Sequence, residues 1–143
     1  MYIVLNSTES DRSISPTQLK FLKNTVLNAG SDCRKVFVFF HEVIWNSDEK
    51  YKLVRSNNRS RYAQIKDVSN FRTEVFPALT AFSDKNFYLF SGDVGGNPDA
   101  IAAFYDKWQN VTLLSSGMGE VADENYLKVK ISPDTVLFEL IAL

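Results

Sequence analysis

The only imidazole in the chain, His41, stands where an apolar run ends, in KVFVFFHEVIWN at residues 35–46. Imidazole changes charge near neutrality, so such a residue can ligate a metal, act as a base, or simply close a strand with a hydrogen bond. The residue type leaves all three open. Two more stretches run from strand-like text into polar or glycine residues: FYLFSGDVGG at 87–96 and VTLLSSGMGE at 111–120. In the first, Asp93 lies between glycines. It reads as an Asx-type turn residue or as a hard oxygen donor. Ser91, Ser115 and Ser116 offer hydroxyls, but none sits in a G-x-S-x-G elbow, so an esterase pairing Ser91 or Ser116 with His41 has no motif behind it. The glycine spacing matches neither a P-loop nor a dinucleotide fingerprint. Between Lys50 and Lys66 six basic residues (Lys50, Lys52, Arg55, Arg59, Arg61 and Lys66) occur with no acid. The run is either a solvated loop or a patch for an anionic substrate or partner.

The elements that must position these groups can be read from periodicity. YIVLN (2–6) is a short strand. SISPTQLKFLKNTVLNAG is a helix with Ser15 as N-cap, Pro16 in the first position, Gln18 completing an S-x-x-Q box and Gly30 as stop. Ile14 and Leu19 take the staple positions, and Leu19, Leu22, Val26 and Leu27 form the apolar face. VFVFF (36–40) is a strand covered on both sides. A second helix is expected over about 68–82 with Phe71, Val75, Leu79 and Phe82 inward, kinked or broken early by Pro77. Strand 86–91, a short helix at 98–108 led by Pro98, VTLLSSGMG (111–119) as strand into glycine turn, and a closing hairpin from NYLKVKI and DTVLFELIAL follow. The sequence predicts an α/β domain, a mixed sheet layered with helices, in one unit over residues 1–143. Ligands in such sheets bind beyond the carboxyl ends of the strands, so FFHE, FSGD and SSGMGE are expected to share one rim.

Composition narrows the function classes. At 16.3 kDa with 45% hydrophobic residues, the chain buries a core of its own. Its net charge of −1 gathers neither nucleic acid nor an anionic membrane. One cysteine, Cys33, excludes an internal disulfide, and with one histidine it makes no zinc cluster. There is no run of 18 apolar residues and no leader-like start, which reads as cytoplasmic.

In this order the pieces resemble the second half of calcineurin-like metallophosphoesterases. YIVLNS followed by ISPTQLKFLKN, and VFVFFHEVIW, look like that family's segment leading to a strand whose terminal histidine binds metal. FYLFSGDVGG falls where a G-H-x-H motif belongs, and VTLLSSGMGEVADENYLKVKI is similar to its closing strands. The resemblance implies part of a four-layer αββα fold, a metal-ligand role for His41 and for Asp93, and a substrate-facing role for Gly92, Gly95 and the arginines Arg55, Arg59 and Arg61. It also implies a divalent cation (Mn, Fe or Zn) and phosphoester hydrolysis.

The departures qualify what this chain does by itself. Gly92-Asp93-Val94-Gly95 keeps one possible donor of G-H-x-H, and the D-x-H, G-D-x-x-D and G-N-H-[DE] motifs are absent. A two-metal clamp needs more donors than His41 and Asp93 supply. The expectation is an incomplete, inactive portion of a phosphohydrolase that associates with itself or with a chain supplying the missing half, because uncovered sheet edges seek partners. The alternative is a non-catalytic module binding an anionic polymer, glycan or protein.

Overall fold

The computed structural model describes residues 1–8, 12–45, 69–94, 101–117 and 124–143. Arg55, Arg59, Arg61 and Gly95 lie outside the described residues. The chain is mixed α/β. Its main sheet has five strands, β1 (Tyr2–Val4), β2 (Lys35–Phe40), β3 (Asn86–Ser91), β4 (Ala103–Trp108) and β5 (Val111–Ser116), in the spatial order β1-β2-β3-β5-β4. The first four in that order are parallel, and β4 closes the edge antiparallel to β5. A separate antiparallel hairpin joins β6 (Asn125–Ile131) and β7 (Val136–Ala142).

Strand alternation sorts the side chains into two faces. Ile3, Val36, Val38, Phe87, Leu89, Val111 and Leu113 face the helical layer and are all buried. That layer contains α1 (Pro16–Leu27), which buries Leu19, Leu22 and Val26. Leu27, expected on the same face, is instead 71% exposed, because it lies about 100° around the helix from fully buried Val26. The N-cap forms as expected, with Ser15 Oγ accepting from the Gln18 amide at 3.4 Å. The Gln18 side chain, however, mainly exchanges two bonds with the backbone of Asn6, at 2.6 and 2.9 Å. The residue expected to complete a capping box therefore ties α1 to the end of β1. Ser15→Ala is expected to cost about 1 kcal/mol in urea melts.

Residues 69–82 do not form one helix. Phe71–Val75 is a π-helical turn, and only Phe76–Thr80 (α2) is α-helical. Pro77 supplies the reason. Its ring would press on the carbonyl four residues back, and widening the preceding turn relieves that clash. Asn70 anchors the wide turn by bonding both backbone groups of Ile14, at 3.0 and 2.8 Å. Buried Lys85 holds the far end, donating to the carbonyls of Gly30 and Cys33 at 2.9 and 3.2 Å.

The helix expected at 98–108 is also overturned, since residues 103–108 are strand β4. Alternation puts Phe104 on Trp45 and Trp108 on Phe76, with ring centroids 6.2 and 4.4 Å apart. Gln109, at φ 54, and Asn110 make the tight turn into β5. Asn110 also donates to the carbonyls of Phe82 and Lys85, both at 3.0 Å.

The second face is aromatic. Tyr2 stacks on Phe37 and Phe37 on Tyr88, with centroids 5.2 and 5.0 Å apart, and Phe39 stacks on Phe90 at 4.9 Å. The hairpin lies on this face through Phe138, which meets Tyr88, Phe90 and Tyr105. Its turn is held by the Lys35 ammonium, which donates to the carbonyls of Ser132 and Pro133. Burial, and then the neighbouring Tyr105, pushes the Tyr88 phenol up from its ordinary value. No helix among the described residues is long and apolar enough to cross a membrane.

Candidate functional site: the carboxyl rim of the sheet

β2, β3 and β5 run in the same direction and end level with one another. Phe40 pairs with Ser91, and Ser91 with Ser115. The residues that follow, His41, Gly92-Asp93 and Ser116-Gly117, therefore emerge at one rim, as the strand-then-polar pattern predicts. His41 is exposed, whereas Glu42, Val43, Ile44 and Trp45 behind it are buried. A single polar residue at the rim is thus followed by a segment that dives into the core. Ser7, past the end of β1 and fully buried, accepts the Glu42 amide on its Oγ at 2.9 Å. Glu42 itself is 1% exposed, a buried acid beneath the rim that its sequence position does not announce.

Gly92 lies directly beside His41. A Cβ built on Gly92 would stand 3.8 Å from the His41 carbonyl oxygen, an ordinary contact. Close approach is therefore not what requires glycine there. Asp93 has a φ of 51, a left-handed conformation that aspartate tolerates better than most residues. This turns the chain sharply after β3 and sets Val94, fully buried, against Gly117. At Gly117 the fit is tight, because a Cβ would lie 1.9 Å from the Val94 carbonyl oxygen. Gly117 is thus the residue that lets the chain after β5 pass this close to Val94, and sequence pattern shows it only as one more turn glycine.

The serines are arranged for structure. Ser91 and Ser115 share a hydrogen bond at 2.8 Å between their buried hydroxyls. Ser116 bonds the Asn125 side chain at 2.8 Å, joining β5 to the hairpin. Neither arrangement holds a hydroxyl against His41 as a base would.

As donors for a cation, the rim offers the imidazole of His41 and the carboxylate of Asp93. Among the described residues no group of three or more His, Cys, Asp or Glu is placed to hold a metal ion. A catalytic zinc takes three protein ligands. The described residues by themselves therefore do not fit a complete metal centre.

The fold and rim define a class, a mixed α/β domain with histidine and aspartate on adjacent loops at the carboxyl ends of parallel strands. Beyond that class, no family model, curated protein or solved structure matches the chain at a significant level.

Proposed function

We propose that this chain is the carboxyl-terminal portion of a calcineurin-like, metal-dependent phosphoester hydrolase and is inactive without further donors. The adjacency of His41 to Gly92-Asp93 at one rim carries the reading. In this reading His41 and Asp93 each give one donor to a Mn, Fe or Zn ion. The other donors and the base come from the D-x-H, G-D-x-x-D and G-N-H motifs that the sequence lacks. Gly92 and Gly95 take a substrate-facing role, and Arg55, Arg59 and Arg61 hold the substrate's anionic oxygens. The layered α/β architecture is compatible with half of a four-layer fold.

Hydrolysis of a nitrophenyl phosphoester tests it. The chain alone is expected to release no nitrophenol above the metal-only rate with Mn²⁺ or Zn²⁺. Joining it to an amino-terminal half bearing the three motifs is expected to restore metal-dependent release that His41→Ala lowers by about 100-fold. Hydrolysis by the chain alone would contradict the donor count, and no restoration would contradict the family reading.

A second reading draws on Gly95 standing where the family has a donor. In it the chain is a non-catalytic module that binds an anionic polymer, glycan or protein through residues 50–66. Stabilisation by polyanions, with indifference to metal, is the result that selects it.

A further inference from the structure

The hairpin has two outer strands, and they are unequally guarded. β6 carries Lys128 and Lys130, the residue type that most often keeps a strand edge from pairing. β7 carries a single charge, Glu139, which both lysines approach across the hairpin at 3.5 and 3.7 Å. It contains no proline or glycine, and Leu137, Leu140 and Leu143 are 59%, 52% and 78% exposed. The other edges are poorer templates. β1 has three residues, and on β4 the Lys107 amide is already taken by Asp106 Oδ1 at 2.8 Å. Beside β7 runs an open apolar groove of about 520 Å³, lined by Tyr105, Leu114, Phe138 and Leu140 among others.

The backbone bonds at the two ends of the hairpin fix the direction of every peptide group in β7. Ser132 donates to Thr135 and Leu143 to Glu124, so the odd-numbered residues of β7 bond to β6. The N–H and C=O of Val136, Phe138, Leu140 and Ala142 therefore point away from it. Among the described residues β7 pairs with β6 alone.

We propose that β7 pairs antiparallel with β7 of a second copy of this chain, about a two-fold axis at Leu140. Two hairpins then form one four-stranded sheet. Outward groups must meet outward groups, which allows two-fold axes only at residue positions. An axis at Glu139 sets two carboxylates opposite each other in the closest type of cross-strand pair, which is destabilising. An axis at Phe138 brings the turn residues Asp134 and Pro133 against Ala142 and Leu143 and sets Leu137 against Glu139. With the axis at Leu140, Phe138 meets the small Ala142, Leu140 meets its own counterpart, Leu137 meets Leu143, and Glu139 meets Ile141. That register covers all three exposed leucines and opposes no like charges. This self-complementarity makes a second copy the occupant. The surface uses neither His41 nor Asp93, so it stands apart from the functional reading above.

Sedimentation equilibrium of the whole chain tests it, with circular dichroism confirming that each variant stays folded. The chain is expected to show a reversible monomer–dimer equilibrium. Leu140→Lys sets two ammonium groups on the axis and is expected to weaken the dimer by more than about 100-fold. Leu137→Lys and Leu143→Glu alter exposed side chains, and each alone is expected to weaken it by about tenfold. Together they face each other across the axis, and the double variant regains most of the loss. A chain that stays monomeric up to millimolar concentration overturns the proposal. So does a dimer indifferent to Leu140→Lys, or a double variant no tighter than the singles.

Discussion

Trp45→Ala is expected to destabilise the chain by about 3–5 kcal/mol, the cost of truncating a fully enclosed aromatic side chain. Trp45 is 0% exposed and lies where both structural layers meet. Its ring stands edge-on to Phe40 and Phe71, at 5.8 and 6.2 Å, and tilts against Phe104 of β4 at 6.2 Å. The alanine variant therefore loses contacts to β2, to the π-helical turn and to the edge strand together. Small domains hold about 5–15 kcal/mol in all, so the loss is a large share of the total. Urea denaturation checks the value. The substitution is also expected to loosen the segment that follows His41, in which Val43 and Ile44 are buried beside Trp45. A loss under about 1 kcal/mol would mean that the segment is held by something else.

Gly117→Ala is the second large effect, at about 3 kcal/mol, and it arises from crowding rather than from lost contact. The added methyl carbon would lie 1.9 Å from the Val94 carbonyl oxygen and 2.8 Å from the carbonyl carbon. Both are backbone atoms, so no side-chain rotation relieves the clash and one loop must move. The loop that moves carries Asp93 in its strained left-handed turn. The variant is thus expected to melt lower and to lose whatever Asp93 contributes at the rim. Gly92→Ala, whose nearest atom is 3.8 Å away, is expected to change stability by less than about 1 kcal/mol. Thermal melts of the two variants side by side separate a steric requirement from a generic glycine effect.

What was legible in the sequence follows from the range of the interactions involved. The α1 cap, the strands ending at Phe40 and Ser91, and the closing hairpin rest on local signals: Ser15-Pro16, continuous apolar runs and the Ser132-Pro133 turn. The rim was legible for the same reason, since parallel strands that end in polar residues must bring those ends together. β4 was missed because AFYDKW carries rings at helix-like intervals and follows a proline. Its strand character comes from pairing with β5 and from packing on Trp45 and Phe76. The π-helical turn was foreshadowed by Pro77, but its form depends on Asn70 reaching back to Ile14 across the fold. Glu42 beneath the rim and the Gly117 clamp were not legible at all, because each depends on what lies opposite in space. The arginines 55, 59 and 61 and Gly95 lie outside the described residues.

If His41 and Asp93 give donors to one cation at this rim, as proposed, added cation raises the thermal stability of the chain through those two side chains. At tenfold excess over the dissociation constant, a cation that binds only the folded chain adds about 1.4 kcal/mol. Mn²⁺ or Zn²⁺ is therefore expected to raise the melting temperature of the wild-type chain. His41→Ala and Asp93→Ala are each expected to abolish that rise, and Cys33→Ser to leave it intact. A wild-type chain indifferent to both cations, or a rise that survives the loss of His41, would contradict the account.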